Sequence, residues 1–394
     1  MGNSGSQTKR AKLVVLQTHP IQYYAPLYRA LAERGRIEVK VIYLSDAGAK
    51  LHQDPGFGQE VAWDVPLLEG YDFRILQSGK AIAHSSFWQR RDPRLARILG
   101  EERPDWLLVY GYASLMNWQV LAWARIHGVR VLYHSDSNIR IMRRGWRLLP
   151  KKMALRWFFR RIDAFLSPGE ANFDYLRFFG ARPDKIVWCP FAIDVQRFRA
   201  ALPMTGETAI DFVWAGKMIS LKRPLDFVLA VNELVKRGHL RVRSAMIGSG
   251  PLLEVMRETA SDLVSRGNLE FRGFVNQSEM PRELRRGGTF VFASERDQYG
   301  LAATEAAACG MALIVADING CVGEHASART GKNALTYSAG DIRSLADCME
   351  MLLTDPVRLA SLREASLAIA ADHDVSRAAS IIESVVSGMQ HGRD

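Results

Sequence analysis

The chain predicts an α/β protein of two domains, each a parallel sheet with helices wound over both faces. Three observations carry this expectation. Its 394 residues exceed what one hydrophobic core usually serves, so two domains of roughly 200 residues are favoured. Short apolar runs alternate with helical patterns from start to finish, the alternation that parallel strands and crossover helices require. A hydrophobic fraction of 48% with 24% charged residues is ordinary for a globular protein.

Composition also narrows the function. No apolar stretch approaches the ~20 residues that span a bilayer, and the N-terminal MGNSGSQTKR has no signal-peptide core, so a cytoplasmic location is expected. Cys189, Cys309, Cys321 and Cys348 lie far apart with no CxxC pattern, which points to core residues; no metal site and no disulfide framework is expected. The net charge of +10 is uneven. Residues 1–200 hold 31 Lys and Arg against 18 Asp and Glu, a surplus of 13, whereas the remainder holds 21 against 24. The basic half is expected to meet something acidic, such as a membrane surface, a phosphorylated acceptor or nucleic acid.

In chain order, residues 1–11 read as a disordered tail, in which Gly2 and Ser6 also fit a loose myristoylation pattern. Leu13 to Gln17 reads as the first strand, followed by a loop bearing His19 and a helix of 3.6 period. His19 falls at the C-terminal edge of that sheet, where ligands sit in such folds; a loop imidazole bonded to backbone is the competing reading. No Gly-x-Gly-x-x-Gly follows this strand, against a dinucleotide-dependent dehydrogenase, and no cofactor is expected. Trp106 to Tyr110 gives another buried strand, ended by Gly111, where a ligand can approach the backbone or the strand simply stops. Val129 to Tyr133 gives the next, with His134 and Asp136 just past its end. From Arg140 to Arg161 run nine basic residues and no acid. After Pro150, which suits a helix start, Lys152, Arg156 and Arg160 form a stripe at four-residue spacing, with Leu155, Trp157, Phe158 and Phe159 around the rest. That pattern suits an interfacial helix touching a membrane, or a core helix with a solvated Arg face. The loop at 199–208 reads as a linker, so the first domain spans 12–200 and the second 208–374.

The second domain opens on a strand ending at Ala215, then Gly216 and two ammonium groups, Lys217 and Lys222, before a helix near Pro224. Two cations beside a helix N-terminus can hold a diphosphate and stabilise its charge as it leaves. MIGSGPL places Gly248 and Gly250 after another strand, and LEFRG places Gly273. In FVFASERDQYGLAATEAAACG, residues 290–310, a buried strand meets a loop bearing Asp297, then Gly300 and an alanine-rich helix from Leu301. The first N–H groups of that helix, near Leu301 and Ala302, would face an anionic ligand, and Glu305 within it suits a sugar hydroxyl. Glu295 competes with Asp297 for the second acidic role.

The order acid, seven residues, Glu, formed by Asp297 and Glu305, resembles the donor-site signature of the retaining glycosyltransferases of family 4. Gly216-Lys217-Met218 with Lys222-Arg223 keeps the spacing of that family's Gly-Arg-Leu and Lys-Gly pair. Pro190-Phe191-Ala192-Ile193-Asp194 stands where Pro-Asn-Gly-Val-Asp is usual, and His19-Pro20-Ile21 where a glycine-rich loop is frequent. Lys replaces the family's Arg at 217 and Asp its Glu at 297. The resemblance implies a GT-B fold of two Rossmann-like domains facing a cleft, with a final helix, residues 375–394, crossing back to the first domain. It implies sugar transfer from a nucleoside-diphosphate sugar with retention and no required metal, to an acceptor bound by the first domain and left open here, lipid-linked or a cell-surface glycan precursor among the options. Lys217, Lys222, Asp297 and His134 would be catalytic; Gly216, Gly248, Gly250, Gly273, Gly300, Leu301, Ala302 and Glu305 would hold the donor; His19 and Gly111 would face the acceptor. Competing classes are a non-catalytic nucleotide-sugar-binding protein, an epimerase of the same fold, and a basic nucleic-acid-binding protein, for which no recognition motif is present.

Overall fold

The computed structural model describes residues 10–79, 86–142, 145–200 and 210–388. The tail to residue 9 with its Gly2 and Ser6 pattern, Arg143 and Arg144 of the basic run, most of the linker and residues 389–394 lie outside the described residues. In the first domain the strands are β1 (Lys12–Gln17), β2 (Glu38–Ser45), a short antiparallel pair β3 (His52–Asp54) and β4 (Gln59–Val61), β5 (Asp72–Gln77), β6 (Trp106–Tyr110), β7 (Arg130–His134), β8 (Ala164–Ser167) and β9 (Ile186–Trp188). The second contains β10 (Ile210–Ala215), β11 (Ser244–Ile247), β12 (Leu269–Gly273), β13 (Gly287–Phe292), β14 (Ala312–Ala316) and β15 (Ala334–Tyr337). Seven strands form one parallel sheet in the order β5-β2-β1-β6-β7-β8-β9, and six form another in the order β12-β11-β10-β13-β14-β15. Both orders reverse direction beside their first strand. That reversal opens a crevice at the C-terminal ends of β1 and β6 in one sheet, and of β10 and β13 in the other.

Apolar alternation explains why helices cover both faces. Val14 and Leu16 of β1 join one buried cluster with Phe158 and Leu121, while Leu13 and Val15 point to the opposite cluster with Tyr28 and Leu31. In the second sheet Phe212 and Trp214 face helix Pro224–Lys236, and Val213 faces helix Leu301–Ala308. Seven of the eight residues of that last helix are buried, which accounts for its alanines: a helix enclosed on every side between sheet and neighbouring helices leaves room only for small side chains.

The chain crosses between domains twice, at one place. Ile193 N–H donates to the His373 carbonyl (3.0 Å), Val375 N–H donates back to Ile193 (3.0 Å), and the Asp374 carboxylate accepts from Val195 N–H (3.1 Å). Asp374 also caps helix Val375–Val386 through Ser376 N–H (2.9 Å). This final helix packs on the first domain: Ala378, Ile382 and Val386 enter the cluster of Leu13 and Tyr28, Arg34 Nε pairs with Glu383 at 2.9 Å, and Trp106 Nε1 donates to Val386 O at 3.0 Å.

Three sequence expectations shift. The basic helix spans Leu148–Phe159, starting before Pro150, which occupies its third position, where the first turn has no use for a donor. Arg199 and Ala200 end helix Val195–Ala200 rather than open a loop, because Phe198 of the same turn is buried in the second domain's cluster. His134 is the last residue of β7, not the first beyond it, since Tyr110 of β6 pairs with it in register.

Candidate functional site

At the crevice of the second sheet the chain leaves β10 through Gly216 and Lys217, makes a short turn at Ser220–Lys222 and enters a helix with Pro224 in its first position. Gly216 N–H donates to Ile247 O (3.0 Å), and Gly248 N–H to Gly273 O (2.7 Å), so these turns lie against one another along the sheet edge. Gly248 is obligatory there: at φ +130° a Cβ would lie 1.9 Å from the Gly216 carbonyl oxygen. Gly250 lies in the adjoining turn. On the β13 side the loop carrying Asp297 ends at Gly300, where φ +104° and the Phe292 ring exclude any side chain before helix Leu301–Ala308 begins. The N–H groups of Leu301 and Ala302 have no carbonyl one turn earlier in their own helix to bond.

The charged groups of this crevice are paired. Lys222 Nζ makes a close contact with Asp297 Oδ2. Arg223 takes Glu295 (2.7 Å) and Asp226 away from the centre, so of the two rival acids Asp297 is the one that faces Lys222. Glu305 is the exception. Its carboxylate is 4% exposed, its Oε1 has no hydrogen-bond partner among the described residues, and burial pushes its pKa up to about 7, with the Arg197 charge pulling the other way. It lines a cavity of about 100 Å³ with Tyr23, Gly216, Gly248, Phe274 and Ala302. An unsatisfied buried carboxylate beside glycine backbone is suited to receive hydroxyl donors from a ligand.

Lys217 is not a free cation either, and its partner comes from the other domain. Asp54, at the turn between β3 and β4, accepts from Lys217 Nζ at 2.8 and 3.0 Å and from the N–H groups of Gly56 and Phe57. Burial alone would raise the Asp54 pKa; the Lys217 hydrogen bond and charge outweigh it and hold the carboxyl below its ordinary value. Ser249 Oγ donates to Phe57 O (2.8 Å), Phe57 packs edge-on against Phe274 (4.9 Å), and Asn276 Nδ2 donates to Ala62 O (2.7 Å). The hairpin thus lies over the glycine turns, its carboxylate on the ammonium group expected to meet a phosphate. Lys217 lies 163 positions from Asp54, too far for any local pattern to pair them.

The crevice of the first sheet is of another kind. His19, after β1, is held by Thr18 Oγ1 at 2.9 Å, and burial, with His52 and Arg90 adding to it, pushes its pKa down to about 4. His134 lies under Tyr24, Tyr110 and Phe191, its Nδ1 without a partner among the described residues, and burial lowers its pKa to about 4. Both imidazoles are neutral at pH 7. Gly111, at φ +68° with open space around it, receives Asn117 Nδ2 on its carbonyl (2.9 Å) and donates its N–H to His134 O (2.9 Å). Asp136, beyond the strand, keeps access to solvent at the bottom of the cleft, yet burial by its surroundings and the Asp297 charge raise its carboxyl pKa.

Ten of the residues singled out therefore meet at the β10/β13 crevice: Gly216, Lys217, Lys222, Gly248, Gly250, Asp297, Gly300, Leu301, Ala302 and Glu305. Gly273 stands at the end of β12, one strand outside Gly248, and meets the group through its carbonyl. His134, His19 and Gly111 sit on the facing domain. Phe191 bridges the two sides, 5.5 Å from Tyr299. Asn138 does the same: its N–H donates to Gln298 Oε1 (3.0 Å) and its Nδ2 to Ile318 O (3.0 Å). Neither Asn138 nor Asp54 had a sequence signal beyond a polar residue in a loop.

Comparison with known proteins finds two family models, one in each half of the chain. Residues 22–197 match the family model described as Glycosyltransferase Family 4, and residues 209–355 the one described as Glycosyl transferases group 1. The chain is 25% identical over 256 residues to a glycogen synthase of Mycobacterium tuberculosis, covering 64% of this chain and 59% of that protein. It is 26% identical over 208 residues to a D-inositol 3-phosphate glycosyltransferase of Rhodococcus opacus, covering 49% and 46%. The chain thus spans less than two thirds of the length of these relatives. Among solved structures, Anabaena Alr3699/HepE in complex with UDP superposes with a TM-score of 0.71 at 14% identity, covering 96% of this chain and 100% of that one. Sucrose-phosphate synthase from Thermosynechococcus elongatus gives 0.69 at 14% identity, covering 96% and 99%. At such identities the likeness establishes the GT-B fold.

Proposed function

Since the chain belongs to the glycosyltransferases through both of its domains and has the GT-B fold, we propose that it moves a sugar from a nucleoside-diphosphate sugar to an acceptor held by the first domain. The observation that carries this reading is the convergence of Lys217, Lys222, the start of helix Leu301–Ala308 and the unsatisfied Glu305 on one sheet crevice, opposite a neutral aromatic crevice. In the proposed reaction the bond between the anomeric carbon and the diphosphate oxygen breaks, the acceptor oxygen bonds to that carbon, and the acceptor's hydroxyl proton leaves with the diphosphate. Negative charge grows on the departing diphosphate, and the two ammonium groups with the helix N–H groups stabilise it. Charge supplied in this way supports a reaction with no required metal. Glu305 receives ribose hydroxyls, and Asp297, released from Lys222 as the phosphates arrive, holds the donor sugar. No protein nucleophile is assigned, and retention at the anomeric carbon is proposed through attack of the acceptor oxygen on the face from which the diphosphate departs. The UDP bound in the Anabaena structure favours UDP-sugars as the first donors to try.

The proposed setting is the cytoplasmic face of a membrane. Helix Leu148–Phe159 buries Leu155, Phe158 and Phe159 but leaves Trp146 before it, and Leu149, Met153 and Trp157 within it, largely exposed beside Arg156 and Arg160. A lipid-linked acceptor would reach the cleft from there. Two experiments test these readings. Incubation with UDP-, GDP- and ADP-sugars, followed by product analysis with and without EDTA, should reveal donor turnover with retained configuration in both; inversion, or dependence on a metal, contradicts it. Neutralising Arg156 and Arg160 should weaken sedimentation with anionic liposomes, and unchanged sedimentation contradicts the membrane contact.

A further inference from the structure

A cavity of about 540 Å³ opens between Tyr112, Arg147, Lys151 and Tyr175 of the first domain and the loop of Arg296 and Gln298, the residues on either side of Asp297. It shares no lining residue with the cavity that Glu305 and Gly216 line. Arg147, Lys151 and Arg296 line it and no acid does. Among the described residues none of these three cations forms an ion pair, whereas Lys217, Lys222 and Arg223 in the neighbouring crevice all do.

Lys151 is also held in place. Its Nζ lies 5.5, 5.4 and 5.1 Å from the ring centres of Tyr112, Tyr175 and Phe179, and the two tyrosine hydroxyls meet at 2.6 Å. A solvated surface lysine needs no such cage. The cavity wall is in addition the first turn of helix Leu148–Phe159, which has no capping side chain and no acid in that turn. In that turn Leu148 N–H is taken by Gly145 O (2.9 Å) and Pro150 has none, so the helix contributes its dipole rather than a set of free N–H groups. Three cations without acidic partners around one half-open cavity leave a local excess of positive charge, which a doubly charged anion offsets.

We propose that this cavity is an anion subsite for the acceptor, and that the acceptor carries a phosphate ester seated against Lys151, Arg147 and Arg296. The inference rests on the glycosyltransferase reading for the word acceptor, but its binding chemistry stands on the cavity itself. Asn138, which lines the same cavity, donates to the Asp297 carbonyl at 3.4 Å, so a ligand anchored here lies beside the loop that carries the donor-sugar contact. The phosphate can belong to a soluble sugar phosphate or to a lipid headgroup.

The test uses the full chain with glucose 6-phosphate as the soluble probe and phosphatidylcholine vesicles with or without phosphatidic acid as the lipid probe. Calorimetric titration and vesicle sedimentation are run on wild type, Lys151→Gln, Arg296→Gln and Lys222→Ala. The expected result is saturable binding of one probe, weakened about tenfold by Lys151→Gln and by Arg296→Gln and retained in Lys222→Ala. Arg296→Gln keeps the test decisive should Lys151→Gln fail to fold without its cage. Soluble binding identifies a sugar phosphate, and binding to phosphatidic acid vesicles alone identifies a lipid headgroup. Equal binding by wild type and Arg296→Gln, binding lost only in Lys222→Ala, or no binding of either probe overturns the subsite. Failure of the donor reading has a different signature: nucleotide-sugar binding that Lys222→Ala leaves unchanged.

Discussion

The two sheets share one winding pattern, yet their crevices have opposite chemistry. Beyond β10 and β13 the residues are glycines, lysines and acids in fixed pairs, with one carboxylate, Glu305, left unsatisfied. Beyond β1 and β6 they are neutral: two imidazoles pushed toward pKa 4 by burial, packed among Tyr24, Tyr110 and Phe191. A diphosphate needs charge and close backbone approach, and few residue types supply them. A sugar or lipid acceptor can be met by many combinations of aromatic and polar groups. The asymmetry is what a transfer between one chemically constant partner and one variable partner requires.

Removing charge from the second crevice should produce the largest effect. Lys222→Ala is expected to lower turnover by roughly 10²- to 10³-fold, the usual loss when a charge-stabilising group is deleted, with a melting temperature within a few degrees of wild type. Donor kinetics check it, and a variant within about threefold of wild type would erase the contrast between the crevices.

Glu305 offers the next largest effect, through pH. Its folded pKa of about 7 lies above the ordinary 4.5, so between those values the folded chain binds more protons than the unfolded one and stability falls as pH rises. Above pH 7 the full cost applies, on the order of 3 kcal/mol. Glu305→Gln should therefore be more stable than wild type at pH 8 and lose that advantage toward pH 4.5, while turnover falls. Denaturant titrations at the two pH values measure this.

On the neutral side the expected change is smaller and falls on the other substrate. His134→Gln should slow transfer by about tenfold and leave nucleotide affinity unchanged. Because burial keeps the imidazole neutral, wild-type transfer should show no step from this group between pH 6 and 8. Smallest of all, Asp54→Asn frees Lys217 of a half-exposed ion pair and should tighten nucleotide binding by up to about fivefold, in keeping with a worth of at most ~1 kcal/mol.

The same asymmetry decided what could be read from the residues alone. Continuous apolar runs located β1, β6 and β7 of the first sheet and β10, β11 and β13 of the second, because strands buried on two faces admit little else, whereas β2 and β5 were not singled out; the crossing helix from Val375 followed from the resemblance alone. That Gly216, Lys217, Lys222, Asp297 and Glu305 share one crevice was legible because glycines and charges that follow strand ends gather at one sheet edge, and the phosphate role proposed for them would restrict residue type and spacing together. Asp54, Asn138 and Phe191 were not, since each acts across the cleft on a partner far away in sequence, and no local pattern encodes such a pairing. The basic helix held both of its readings at once: one face is core, through Leu155, Phe158 and Phe159, and the other carries exposed Trp157 and Arg156. Lys151 escaped notice within that run because only the fold brings Tyr112 and Tyr175 around it.

The most direct measurement is a crystal structure of the chain with a nucleoside diphosphate bound. The account predicts phosphate oxygens within hydrogen-bonding distance of Lys217, Lys222 and the Leu301 N–H, the ribose on Glu305, and Asp54 displaced from Lys217. A nucleotide bound elsewhere, or bound with the pair between Asp54 and Lys217 intact, would contradict it.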